Sequence, residues 1–164
     1  MTVTVLVPWW IARADPAPLT LPATLPAWLL AASGLLPLVA GAALFIGSLM
    51  RFDSDGQGTL APWDPPRHLV IRGPYAYVRN PMITGVVLLL VAESAFLRSI
   101  DHLAWAGIFV LINAIYIPLL EEPMLRSRFG VEYDEYARHV PRLLPRRRPW
   151  CPAEGSSEEK RQGR

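Results

Sequence analysis

Long apolar runs separated by short polar stretches dominate the hydropathy pattern of the chain. No charged residue occurs between residues 16 and 50, and positions 25–50 form one continuous apolar run. A second run covers 82–100 and contains one acid, Glu93, whereas a third run, 103–120, is uncharged. A helix that crosses a bilayer needs about 20 predominantly apolar residues. The pattern therefore predicts three membrane-spanning helices.

Two features of these runs indicate how the helices pack. The link between the second and third runs, residues 98–102, is short, so these two helices are expected to form a hairpin. In the first run, Gly34, Gly41 and Gly47 suit close helix packing in lipid, and Pro37 is expected to kink the helix. A hairpin buried in a soluble protein is the alternative, but three such runs leave little surface for water.

The N-terminal apolar piece, residues 3–12, is about half the length that a membrane crossing requires. It contains Pro8 and the neighbouring pair Trp9 and Trp10. Tryptophan is enriched at the membrane interface. An interfacial or re-entrant element is predicted, and the remnant of a longer helix stays open.

Basic residues are unevenly distributed, although the net charge is only +2. Of the sixteen Lys and Arg residues, four lie in 51–81, ten follow residue 120, and only Arg13 and Arg98 lie elsewhere. With three spans, both arginine-rich segments face the same side. Since positive loops stay inside, the pattern predicts a plasma or inner membrane protein with both segments and the C-terminus in the cytoplasm.

Length and composition favour an all-α, polytopic membrane bundle with one domain over residues 1–145. The polar residues 146–164 lack apolar periodicity and are predicted to be disordered. Their three arginines, 146–148, either contact anionic lipid head groups or serve only as a solvated topogenic cluster. Cys151 is the only cysteine, which excludes a disulfide within the chain, and no metal site is expected. Membrane lipids are the expected partners and nucleic acid is not.

The polar segment before the second span, "RGPYAYVRNPM", is rigid and cationic. Gly73 and Pro74 end the short apolar stretch "LVI", and Pro81 suits the first turn of the following helix. That helix start carries unpaired amides, which attract an anionic group.

The segment after the third span contains a pair of acids and a short amphipathic pattern. Glu121 and Glu122 follow the uncharged run directly, and Gly130 interrupts the helix that continues from it. The next residues predict a second short helix that ends at Pro141. Its buried face comprises Tyr133, Tyr136, Ala137 and Val140.

Together, "GPYAYVRNPMITG" and "EEPMLRSRFGVEYDEYARHVPR" resemble the integral-membrane methyltransferases related to isoprenylcysteine carboxyl methyltransferase and phosphatidylethanolamine N-methyltransferase. The resemblance covers about residues 67–145. It implies S-adenosylmethionine as cofactor, bound in a cytoplasmic C-terminal region, and a lipophilic substrate that enters from the bilayer. Asn80 stands where many members have histidine, and Ile83 stands where tyrosine is common.

The resemblance also implies the site residues. Glu121, Glu122 and Arg79 are the predicted catalytic residues. The predicted cofactor-binding residues are Gly73, Tyr75, Val78, Asn80, Pro81, Gly85, Glu121 and Tyr133. Adjacent helical residues lie about 100° apart, so one acid of the pair is expected to face the cofactor and the other to pair with an arginine. The alternatives are a helix-end acid pair, a topogenic arginine and ordinary interfacial tyrosines.

The nature of the methyl acceptor stays open. A carboxylate or thiolate needs no general base, whereas a lipid ammonium must first lose a proton. Since Asn80 cannot titrate, an isoprenylcysteine-like carboxylate or a small thiol is preferred over a phospholipid amine. A non-catalytic membrane partner or chaperone is the alternative from another class. Glu93, an acid within a span, is interpreted as a hydrogen-bond partner of Asn113 or of another polar group of the bundle rather than as a catalytic group.

Overall fold

The computed structural model describes residues 6–14, 23–56 and 68–151, and these contain helices but no strands. Seven α-helices are labelled in chain order: α1 Val7–Ala14, α2 Leu25–Ser33, α3 Leu35–Gly56, α4 Pro81–Leu97, α5 Ile100–Tyr116, α6 Glu122–Phe129 and α7 Val131–His139. A 3₁₀ turn, Gly73–Ala76, precedes α4, and a π-helical segment, Ile117–Glu121, joins α5 to α6. The all-helical fold class is therefore confirmed.

The chain divides into two compact units, each built from two separate stretches. The apolar unit comprises residues 1–46 and 82–123, and the polar unit comprises residues 47–81 and 124–164. The single domain over residues 1–145 stays a prediction.

Two helical stretches are long and apolar enough to cross a membrane, Leu25–Arg51 and Ile100–Phe129. The apolar helix α4 has 17 residues. At 1.5 Å per residue it rises roughly 26 Å, which is somewhat less than a hydrocarbon core of about 30 Å. Two of the three predicted spans thus have the required length, and the count of three stays a prediction.

The turn between α4 and α5 is tighter than the sequence indicated. α4 ends at Leu97 and α5 begins at Ile100, so the link comprises residues 98–99 rather than the predicted 98–102. Arg98, in the link between the two helices, has a left-handed backbone conformation with a φ of +52°. Ser99 is the N-cap of α5 and has an extended backbone. Asp101 lies in the first turn of α5, where its negative charge interacts favourably with the positive end of the helix dipole.

The first predicted span is interrupted at Gly34, three residues before the expected kink at Pro37. The Gly34 amide donates to the carbonyls of Ala31 and Ala32 instead of continuing a regular helix. A proline ring clashes with the carbonyl four residues earlier, which here belongs to Ser33. Pro37 therefore explains a break that lies one turn upstream of it.

Glycines bring α3 and α4 into close contact within the apolar unit. A Cβ atom on Gly41 would lie 2.9 Å from the Gly85 carbonyl oxygen, and one on Gly85 would lie 2.9 Å from the Phe45 amide nitrogen. A Cβ on Gly34 would lie 3.0 Å from the Ala92 carbonyl oxygen. Such contacts are typical of helices that associate in lipid through small residues.

The short helix α1 contacts α5 in the same unit. The His102 ring, only 3% exposed, places Nε2 3.2 Å from the carbonyl oxygen of Pro8. With eight residues, α1 is too short to cross a bilayer. Its interfacial or re-entrant placement stays a prediction, and residues 1–5 lie outside the described residues.

Candidate functional site

The core of the polar unit is the buried face of α7. Tyr133, Tyr136 and Val140 are buried together, and half-buried Ala137 packs against them, as the spacing predicted. Apolar side chains from both stretches of the unit surround this cluster: Leu69, Ile71, Leu125, Phe129 and Trp150. The two segments of the sequence pattern therefore meet in one core.

The segment 73–81 is fixed by its backbone conformation and by buried side chains. Gly73 has a φ of +62°, and a Cβ there would also lie 3.1 Å from Arg51 Cγ. Ala76, Val78 and Pro81 are buried. A left-handed φ and a closely packed neighbour both favour glycine at position 73.

A tyrosine of α7 holds this segment from the other stretch of the unit. The Tyr136 hydroxyl donates to the Tyr75 carbonyl oxygen at 2.8 Å. Burial raises the pKa of Tyr136 well above its usual value, because the phenolate would be poorly solvated there. The hydroxyl therefore remains a protonated donor in the neutral pH range.

Arg79 and Asn80 are bound through their main chain to the residues that follow α7. The Arg79 amide donates to the Pro141 carbonyl oxygen at 2.8 Å, and the Asn80 amide donates to that of Arg142 at 3.1 Å. The half-buried Arg79 side chain reaches Tyr133, with Nη1 3.5 Å from the hydroxyl oxygen. This distance marks a weak hydrogen bond.

The packed chain continues beyond residue 145, which corrects the predicted start of the disordered tail. The Arg146 amide donates to the Tyr77 carbonyl oxygen at 3.0 Å, and the Trp150 amide donates to that of Ala76 at 2.9 Å. Residues 152–164 lie outside the described residues. Sequence reasoning missed Trp150, and the available signal was a large aromatic residue within an otherwise polar tail.

The acid pair belongs to the apolar unit, at the end of the π segment. Pro118 has no amide hydrogen to donate, and the Glu122 amide bonds the carbonyl of Ile117, five residues earlier. Glu122 is 2% exposed, whereas Glu121 is partly exposed. The pair is therefore divided into one buried and one more accessible carboxylate, in agreement with the different directions expected for adjacent helical residues.

Several predicted cofactor residues have packing roles in the structure. Val78, Pro81 and Tyr133 are nearly inaccessible, so their side chains offer little surface to a ligand. Gly85 has no side chain, which lets α4 pack closely against α3 at this position. Tyr75 and Asn80 are partly exposed and Gly73 is exposed. Their contacts with a cofactor stay predictions.

The proposed Glu93–Asn113 hydrogen bond is absent from the described residues. Asn113 instead donates from Nδ2 to the Phe109 carbonyl oxygen of its own helix at 2.8 Å. A side chain that bonds the carbonyl four residues earlier satisfies itself locally. Among the residues that the structure describes, no group of three His, Cys, Asp or Glu is placed to hold a metal ion.

Comparisons with known proteins identify the family of the chain. The model of the phospholipid methyltransferase family matches residues 34–132. Methanethiol S-methyltransferase 2 of Bradyrhizobium diazoefficiens is 37% identical over 75 residues, which are 44% of this chain and 27% of that protein. The chain thus spans about a quarter of the length of this relative. No solved structure matches the chain. Because the family match covers more than half of the sequence, including both glycine-packed helices and the segment 73–81, this membrane protein belongs to the phospholipid methyltransferase family.

Proposed function

We propose that the chain is an S-adenosylmethionine-dependent methyltransferase that modifies a lipophilic thiol or carboxylate at the membrane. The observation that carries the proposal is the convergence of segment 73–81 with α7 in one packed unit, together with the family match. A relative named as a thiol methyltransferase supports a thiol acceptor.

The donor set of this chain fits the polar groups of S-adenosylmethionine. The cofactor has a carboxylate, which a guanidinium recognises through two parallel hydrogen bonds, and the half-buried Arg79 is held by its own main chain for that role. Its ammonium and sulfonium need acceptors, for which a carboxylate such as that of Glu121 is chemically suited. When bound, the sulfonium supplies the methyl group. Alignment of acceptor and donor in a desolvated site is the main contribution of the protein.

The residue at position 80 favours an acceptor that needs no general base. The Asn80 side chain does not titrate, and the main-chain amide of Asn80 donates to the Arg142 carbonyl oxygen. A carboxylate is already ionised near neutral pH, and a thiol with a pKa of about 8.5 is partly ionised. A protonated phospholipid amine would instead need a base. The family description keeps phospholipid amine methylation as the second candidate.

A transfer assay with labelled donor tests the function and distinguishes the acceptors. The full-length protein in lipid nanodiscs would receive S-adenosylmethionine with a radiolabelled methyl group, together with a long-chain thiol, a prenylcysteine or phosphatidylethanolamine. We expect label in the thioether or the methyl ester. Label in the phospholipid would favour the second candidate. Calorimetry that shows no binding at millimolar donor would indicate a non-catalytic membrane partner or chaperone.

The distribution of arginines supports a cytoplasmic location of the polar unit at an inner or plasma membrane. Cys151 is exposed and is the only cysteine of the sequence. A membrane-impermeant maleimide is therefore expected to label Cys151 in lysed cells but not in intact bacterial spheroplasts. A Cys151→Ser variant provides the background. Equal labelling of intact and lysed cells would indicate that Cys151 faces the outside, contrary to the proposed orientation.

A further inference from the structure

The residues after α7 run along the segment 76–80 of the polar unit. We name residues 141–151 the C-terminal strap. Its first residues accept hydrogen bonds from the Arg79 and Asn80 amides, and its later residues donate to the carbonyls of Tyr77 and Ala76. The first two bonds join 79 to 141 and 80 to 142, and the later bonds return to Tyr77 and Ala76, so the strap as a whole runs back along the segment. Four main-chain hydrogen bonds therefore fasten the strap to the segment.

Trp150 anchors the far end of this strap. Its ring stacks on His139, with centroids 5.1 Å apart and planes 8° from parallel. It also lies 6.0 Å from the ring of Tyr136, whose hydroxyl holds the Tyr75 carbonyl. The Trp150 ring thus packs against α7 while its amide holds Ala76. Stacked aromatic pairs contribute beyond the area that they bury.

The segment 75–80 depends on this external support. The amides of Tyr77 and Val78 both donate to the Pro74 carbonyl, and further main-chain groups of the segment bond to the strap and to Tyr136. The consecutive carbonyls of Tyr75, Ala76 and Tyr77 all accept from α7 or from the strap. Loss of the strap would free two of these carbonyls and the two amides of Arg79 and Asn80. The main chain at Arg79 would then lose its hydrogen bond to Pro141.

We propose that Trp150 is a positioning residue that fixes the donor-binding segment through the C-terminal strap. The proposal rests on the proposed function, since it assumes that Arg79 binds the methyl donor. Trp150 acts through the main chain of residues 76–80 and does not itself contact the reacting groups. Small displacements of positioning groups can cost orders of magnitude in rate or affinity, so a residue outside the family match can control donor affinity.

Variants of the full chain test this role. Trp150→Ala removes the ring, and Trp150→Phe retains an aromatic surface at the same place. We expect Trp150→Ala to raise the donor KM roughly tenfold with kcat changed less than about twofold, because a misplaced binding group weakens donor binding before chemistry. Trp150→Phe should restore most of the donor affinity. Hydrogen exchange at the amides of residues 79 and 80 should become faster in Trp150→Ala.

Two truncations provide a matched pair. A chain that ends at Cys151 keeps the strap and should retain the wild-type donor KM, whereas a chain that ends at Arg148 lacks Trp150 and should behave like Trp150→Ala. An unchanged donor KM in Trp150→Ala, measured with an active wild-type protein, would overturn the positioning role even if thermal stability fell. Absence of donor binding by the wild-type protein would instead overturn the proposed function, and this role with it.

Discussion

Arg79→Lys is expected to weaken the binding of S-adenosylmethionine by about ten- to a hundredfold. A hydrogen bond to a charged group contributes about 1.5–3 kcal/mol, and each 1.4 kcal/mol corresponds to about a factor of ten in affinity. Lysine keeps the positive charge but loses the planar fork that binds a carboxylate through two bonds. The main-chain bond from Arg79 to Pro141 does not involve the side chain and should persist. Calorimetric titration of the full-length protein measures the effect.

Arg72→Lys is the matched control, because Arg72 directly precedes the segment and is exposed at the N-cap of the 3₁₀ turn. It should bind the donor as the wild-type protein does. S-adenosylhomocysteine retains the carboxylate of the donor, so its affinity should fall in parallel in Arg79→Lys. Equal donor affinity in the wild-type protein and in Arg79→Lys would show that Arg79 is topogenic or structural.

The sequence predicted the parts of the fold that depend on regular periodicity. Tyr133, Tyr136 and Val140 recur at helical spacing and occupy the core of the polar unit. Pro81 begins α4 and Gly130 separates α6 from α7, as expected. Such features follow from local backbone preferences and from one apolar face, so a single sequence contains enough information to predict them.

Features that depend on tertiary contacts were harder to predict. The C-terminal strap has no apolar periodicity, since its order comes from main-chain hydrogen bonds to a distant segment and from one tryptophan. The π segment after Tyr116 contains Pro118, which donates no main-chain hydrogen bond, and the Glu122 amide bonds the carbonyl of Ile117, five residues earlier. Such a change of hydrogen-bond partner is not visible in the apolar pattern. Polar composition alone therefore predicted disorder over residues 146–151, which the structure describes as packed.

The candidate site shows the same division. The pattern identified Arg79 and the segment around it, and the structure shows what holds them. The sequence pattern could not show that Val78 and the Tyr133 ring are buried. A motif residue that supports a site and one that contacts a ligand cannot be distinguished in a single sequence. Gly85 is the clearest case, since a glycine beside a predicted cofactor segment suits either a ligand or a second helix.

Gly85→Ala is expected to destabilise the apolar unit by about 3 kcal/mol, at the upper end of the usual cost of overpacking. The added methyl group would lie 2.9 Å from both the Gly41 carbonyl oxygen and the Phe45 amide nitrogen, and 3.1 Å from Phe45 Cβ. Two of these three atoms are backbone, so no side-chain rotation relieves the contact and the helices must separate. In lipid, helices associate mainly through close packing, and little else compensates for that separation. Thermal unfolding in nanodiscs measures the loss.

Gly107→Ala separates this packing effect from helix propensity. Gly107 also lies within an apolar helix, but no atom lies within 4 Å of a Cβ built there. Alanine should therefore be neutral or stabilising by up to about 1 kcal/mol at position 107. A Gly41→Ala variant should behave like Gly85→Ala, because the two glycines form one contact, and the double variant should cost less than the sum of the singles. A stable Gly85→Ala protein that no longer binds S-adenosylmethionine would instead assign Gly85 to the cofactor rather than to the contact between α3 and α4.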